Sequence, residues 1–204
     1  HQGYADRIQV VHITFIHLII LLIAKSLYFL YSKSSGCAVY GVNAQIITAE
    51  VDVRSHGTGF AMVGLPANAV KESQERVESA VKQCGFDFPR KRTVVNLAPA
   101  DIRKEGSAYD LPIALGILHA AEKIAAEELD RYVIMGELAL DGSLRPIKGA
   151  LPIAIEARKQ GYKGFLLPQE NAVEAAIVDS LDVYGISHLQ EAIAFFEGKS
   201  ELEP

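Results

Sequence analysis

Cysteine is scarce: Cys37 and Cys84 are the whole supply in 204 residues, far apart and without a CxxC spacing or a neighbouring rhythm of histidines. That pattern argues against a disulfide framework and a cysteine-based metal site, and it fits a reducing cytoplasm. Asn43, Asn68, Asn96 and Asn171 each lack a serine or threonine two residues on, so no glycosylation acceptor points to export. Positive charge is also short, leaving a formal net charge of −5 and a pI near 5.7. The surface as a whole repels a phosphate backbone, and nucleic acid would need a local basic patch. Methionine occurs only at Met62 and Met135 while the chain opens on His1, so a piece of a longer product, or translation begun upstream, is expected.

The common chemical signatures are missing as well. No GxxxxGK[ST] phosphate loop occurs, so ATP hydrolysis is not expected from this chain alone. Gly57, Gly59 and Gly64 miss the GxGxxG spacing, and neither HExxH nor GxSxG is found. His56, His119 and His188 are scattered over a turn, a helix and a cap, where structural roles are expected.

What is present begins with a long apolar run, Val10 to Tyr31. At ~1.5 Å per residue a helix of that length spans a hydrocarbon core of about 30 Å. His12, His17 and Lys25 oppose a membrane reading, although Lys25 is off-centre and able to snorkel. No small-residue cleavage site follows. Residues 1–34 are therefore read as an apolar leader foreign to the fold, with a membrane anchor as the alternative, and Lys33 to Gly36 as the junction.

Globular structure is expected from about residue 35 to residue 198. Cys37–Asn43, Ile46–Arg54 and Phe60–Val63 carry strand-forming residues, with a turn at His56-Gly57-Thr58-Gly59. Pro66 suits a helix start, and Val70, Ser73, Val77, Ala80, Val81 and Cys84 recur at helical spacing up to Gly85. Lys71 with Glu75 and Glu78 with Lys82 form spaced pairs on its charged face. A buried strand at Thr93–Leu97, a loop from Ala98 to Gly106, and a central helix capped by Asp110 follow. Val133–Leu140, Asp141-Gly142 and Ser143–Ile147 read as a hairpin. Beyond it the pattern predicts a helix to about Gly161, a strand Gly164–Leu167, a helix Glu170–Val178 and a strand Leu181–Tyr184. A last helix is introduced by a Ser187/Gln190 capping box and stops at Gly198. Strands first and βαβ-like units later predict an α+β fold, a mixed sheet with packed helices.

The segment from Asn96 to Leu115, NLAPADIRKEGSAYDLPIAL, joins Val63-Gly64-Leu65-Pro66, Ala69-Val70-Lys71-Glu72-Ser73, and Gly136-Glu137-Leu138 with Asp141-Gly142 in one ordered set. The set resembles the first domain of the ComM (YifB) family of magnesium-chelatase-like AAA+ ATPases over roughly Gly36 to Gly198. The resemblance implies a ribosomal-S5-domain-2-like fold, similar to the Lon proteolytic domain and the carboxy-terminal domain of RadA. It also implies that a AAA+ module follows, for which residues 199–204 would begin the linker. ATP and Mg are implied for the full-length protein, and none for this fragment. The implied partners are the AAA+ module, neighbouring subunits of a homo-hexamer, and DNA, on which the family drives branch migration in natural transformation.

The likeness to Lon raises a Ser/Lys dyad, in which a lysine takes the proton of a serine nucleophile. In that comparison Ala108 stands at the serine position, in Lys104-Glu105-Gly106-Ser107-Ala108. Leu151 stands at the lysine position, after Pro146-Ile147-Lys148-Gly149-Ala150. Neither side chain can attack a carbonyl or move a proton, so a non-catalytic domain is expected. A shifted dyad, Ser107 with Lys148, is the alternative. Arg90, Lys91 and Arg92, with Arg103 and Lys104, flank one strand and are the candidates for a DNA or subunit contact, with solvated turns as the plain reading. Glu137 is expected either to pair with Arg103 or Lys104, or to face outward.

Overall fold

The structure, a computed structural model, describes residues 31–204 apart from 55 and 65, and the side chain of residue 71 also lies outside the description. In chain order its strands are β1 (Tyr31–Tyr40), β2 (Asn43–Val53), β3 (Phe60–Val63), β4 (Thr93–Ala98), β5 (Tyr132–Ile134), β6 (Glu137–Leu138), β7 (Leu144–Arg145), β8 (Gly164–Pro168) and β9 (Asp182–Ile186). The helices are α1 (Asn68–Lys71), α2 (Ser73–Gln83), α3 (Asp110–Ala120), α4 (Ala150–Lys159), α5 (Gln169–Ala175) and α6 (Leu189–Phe196).

Seven strands form one mixed sheet in the order β3-β4-β2-β1-β5-β8-β9. On one side of β1 the pairing is antiparallel, from Tyr31↔Asp52 to Tyr40↔Asn43, and β4 continues it against β2. On the other side β5, β8 and β9 run parallel. Alternation explains the first half: Ile47, Ala49, Val51 and Val53 of β2 are buried while their neighbours are half-buried. The parallel half is covered on both faces, and all five residues of β8 are buried. The expected α+β class, a mixed sheet with packed helices, is what forms.

α3 is the central helix. Leu111, Ile113, Leu115, Ile117 and Leu118 are fully buried, each contributing roughly 1.5–3 kcal/mol by area. Asp110 does not cap it from outside as expected: Tyr109 holds the cap position and Asp110 is the first helical residue, with its carboxylate turned inward.

Globular structure starts earlier than the expected junction at Lys33 to Gly36. β1 already includes Tyr31, and Ser32, Ser34 and Ser35 are buried in the middle of the sheet. Their hydroxyls all meet partners from distant sequence. Ser34 Oγ donates to the Pro112 carbonyl at 3.0 Å, Ser32 Oγ meets His119 Nδ1 at 3.1 Å, and the Tyr162 hydroxyl donates to Ser35 Oγ at 3.1 Å. The serines resemble linker by composition, yet they are core positions with partners on α3 and beyond. The apolar run up to residue 30 lies outside the described residues. No helix among the described residues is long and apolar enough to cross a membrane.

Three further expectations change. The hairpin's first strand is broken at Met135 and Gly136, which separates β5 in the large sheet from β6 in a two-stranded ribbon with β7. Gly136 passes so close to α3 that an added Cβ would lie 2.7 Å from Leu144 Cδ2 and 3.3 Å from Leu111. The helix expected after Pro66 is divided at Glu72 into α1 and α2. His188, not Ser187, caps α6: its Nδ1 accepts the Gln190 amide at 3.1 Å. Past α6, Leu202 of the expected linker packs against the core.

Candidate functional site

The two positions matched to a catalytic dyad do not share a site. A cleft of about 470 Å³ lies between the end of β1, the 103–109 loop, Met135 and Glu137, and Pro146 to Lys148. Ala108 lines it, as do Ser107 and Lys148, whereas Leu151 does not. Leu151 is the second residue of α4, and its amide donates to Glu174 Oε1 at 3.0 Å.

Within the cleft the Ser107 hydroxyl donates to the Glu137 carboxylate. Glu137 also meets Arg145 Nη1 at 3.3 Å. The cause is local pairing: β6 and β7 place Glu137 directly opposite Arg145. Glu137 is thus half-buried and paired, but with neither of the cations expected for it. Arg103 closes on Glu105 at 3.1 Å, and its carbonyl accepts the Tyr40 hydroxyl at 2.7 Å. Lys148 is exposed at the rim, and no hydrogen bond joins it to Ser107 among the described residues.

Lys104 is not a surface cation. It is fully buried, and its Nζ donates to the Gly64 carbonyl at 2.8 Å and to the Pro99 carbonyl. Its own carbonyl takes the Ala67 amide at 2.9 Å. Burial holds the ammonium below its ordinary pKa, with Asp101 acting in the opposite direction. Lys104 therefore fastens the Gly64 loop to the Pro99 loop, and its side chain is buried rather than at the surface, where a contact with DNA or a subunit was expected of it.

The remaining cations do not converge either. Arg90, Lys91 and Arg92 precede β4 and Arg103 follows it, and six residues of strand separate the ends by about 20 Å. Arg90 and Lys91 line a second cleft of about 760 Å³ floored by Phe60 and Phe88, where Glu78, Asp87 and Glu122 interleave the positive charge. Arg92 directly precedes β4, its amide donating to the Gly57 carbonyl at 2.9 Å.

The residues that sequence reasoning missed form a buried network around Asp110. Its carboxylate accepts from Ser73 Oγ at 2.5 Å, from Arg76 Nε at 2.6 Å and Nη2 at 3.0 Å, and from the Leu138 amide at 3.1 Å. Burial pushes the Asp110 carboxyl up from its ordinary value, while hydrogen bonds from Arg76 and Ser73 draw it back. The same contact raises Arg76. A carboxylate heading an otherwise apolar helix was the available signal, since so buried a charge requires partners. The partners' identity was not legible, because the bonds from Ser73 and Arg76 cross 37 and 34 residues of sequence.

The Lys104 contacts predict a measurable effect. Lys104→Met leaves two carbonyls without their donor and should lower unfolding stability by about 1–3 kcal/mol at neutral pH. The folded-state pKa is depressed, so this lysine's contribution is full above its unfolded value and falls as pH drops through the folded one. Urea melts at neutral pH and near pH 10.5 should therefore show the wild type gaining on the variant as pH rises. A gap that narrows instead would contradict the assignment.

Comparison with known proteins agrees with this architecture. The family described as Subunit ChlI of Mg-chelatase matches residues 49–171. The chain is 45% identical to YifB of Salmonella typhimurium over 166 residues, covering 81% of this chain and 33% of that protein. It is 41% identical to the competence protein ComM of Haemophilus influenzae over 177 residues, covering 87% of this chain and 34% of that one. More distantly, it is 28% identical to Lon protease 2 of Bacillus subtilis over 180 residues, 78% of this chain and 32% of the protease. The chain thus spans about a third of the length of the curated relatives it matches. A mixed sheet around a buried central helix, with Lys104 and Asp110 joining the segments that carry the resemblance, places the chain in the magnesium-chelatase ChlI family, among its ComM and YifB members.

Proposed function

We propose that this chain is a domain without catalysis of its own in a ComM-like AAA+ ATPase that acts on DNA, serving assembly or substrate engagement in a homo-hexamer in the cytoplasm. The observation that carries the reading is the Lon-like cleft: a methyl group, Ala108, faces it, and the neighbouring Ser107 hydroxyl is held by a carboxylate. The Ser107 hydroxyl is bonded to Glu137 and, among the described residues, to no lysine that could take its proton, and Leu151 is not among the residues that line the cleft. ATP and Mg fit no residue set here, since the sequence holds no phosphate loop. In this reading they belong to a AAA+ module outside this chain, which would supply the chemistry on DNA.

The purified 204-residue chain is expected to release no phosphate from ATP with Mg and to cleave no casein or fluorogenic peptide above a buffer blank. Either turnover, retained through a second purification, would overturn the reading. Because Ser107 and Lys148 share the cleft, a second reading is a Lon-like peptidase using that shifted pair. A fluorophosphonate probe labelling Ser107, with labelling lost in Lys148→Ala, would favour it.

A further inference from the structure

We propose that the free edge of β1 at Val39 docks an extended peptide segment carrying an acidic side chain. The inference rests on the non-catalytic reading of the same cleft, and gives that cleft a ligand class.

The edge follows from register. In the antiparallel ladder with β2, alternate residues of β1 turn their N–H and C=O groups to the opposite side. Cys37 is one of them, because its amide meets Met135 and its carbonyl meets the Tyr109 hydroxyl on that side. Ser35 and Val39, two residues away in either direction, share its orientation. β5 leaves the sheet after Ile134, however, so strand pairing stops at Ser35. At Cys37 side chains substitute for the missing strand: Met135 Sδ meets its amide at 3.1 Å, and the Tyr109 hydroxyl donates to its carbonyl at 3.2 Å. Continued register would place Glu137 beside Val39, but Glu137 pairs with Arg145 in the small ribbon. Val39 therefore meets the cleft with no strand beside it, and among the described residues no main-chain bond on that side replaces one.

The cleft fits an added strand. Its volume of about 470 Å³ lies within the range of ~300–1,000 Å³ usual for ligand sites. Ala108, Met135 and Ile147 give it an apolar wall. Main-chain pairing supplies affinity and alternate side-chain pockets supply selectivity in this mode of recognition. Charge selects the occupant. Arg103 is closed on Glu105 and Arg145 on Glu137, whereas Lys148 has no ion-pair partner among the described residues. One uncompensated cation at the rim favours a peptide with a carboxylate in register with it.

The test uses the 204-residue chain and a fluorescein-labelled nonapeptide of alternating threonine and valine with one central glutamate. Saturable anisotropy is expected, with amide exchange at Val39 slowed by the peptide. Lys148→Glu, at an exposed position that leaves the fold intact, should weaken binding about tenfold. N-methylation of alternate peptide amides, which removes the pairing donors, should abolish it. Absence of saturable binding, equal binding of the methylated peptide, or unchanged exchange at Val39 would overturn the proposal. Mass spectrometry of the recovered probe separates the two readings, because a cleaved peptide sinks the non-catalytic one and leaves docking intact.

Discussion

Asp110→Ala is expected to lower unfolding stability by about 3–5 kcal/mol, enough to unfold a domain of ordinary stability at moderate temperature. The carboxylate is fully buried and receives four hydrogen bonds from three residues on two segments, α2 and β6. Removing it leaves the Arg76 guanidinium, largely covered, with only the exposed Glu72 carboxylate at 4.0 Å as counter-charge, takes away the acceptor of the Ser73 hydroxyl proton and strands the Leu138 amide. The loss of an unpaired group's solvation outweighs the modest net value of any one bond. Urea melts of Asp110→Ala, Arg76→Met and the double variant measure this directly. The double variant should be less destabilised than the sum of the singles, because the second change removes the orphaned charge. Additive losses, or a cost below about 1 kcal/mol for Asp110→Ala, would contradict a coupled pair.

Gly64→Ala is expected to be comparably severe, about 4 kcal/mol or more. Two causes act together. Gly64 has φ +93, a region that L side chains rarely adopt, and an added Cβ would lie 2.0 Å from the Leu97 carbonyl oxygen. The obstacle is β4 backbone, which cannot rotate aside as a side chain could. Its carbonyl is also one of the two that hold Lys104, so displacement of the loop releases the buried ammonium. Thermal melting followed by circular dichroism should show loss of the folded state or a fall of many degrees. Wild-type melting in this variant would contradict the close approach.

Both predictions concern residues inside the segments on which the family resemblance rests, and the structure explains why those segments occur together. Val63-Gly64 is fastened by Lys104 from the long motif. Ser73, which closes the Ala69 to Ser73 segment, meets Leu138 of the Gly136 to Leu138 segment on the carboxylate of Asp110. They are three-dimensional neighbours that satisfy one another's buried polar groups. The order of these residues was plain in the sequence, but the joints were not, because each bond crosses tens of residues and leaves no periodic trace.

Other misreadings have the same origin. Ser32, Ser34 and Ser35 look like linker because hydroxyl-rich stretches usually are exposed, and their burial depends on α3 and Tyr162 arriving from distant sequence. Lys104 looks like surface charge because buried lysines are rare. Ser107 with Glu137 could not be foreseen, since the Glu137–Arg145 pairing depends on where β5 breaks.

By itself the sequence determined the α+β class, the near-bounds of most elements and the family, because those rest on local periodicity, turn residues and ordered motifs. Tertiary structure alone decided which charges are buried, which hydroxyl faces which acid, and that Ala108 lines the cleft while Leu151 does not. These are facts of desolvation and long-range contact, and both depend on what the rest of the chain packs against each residue.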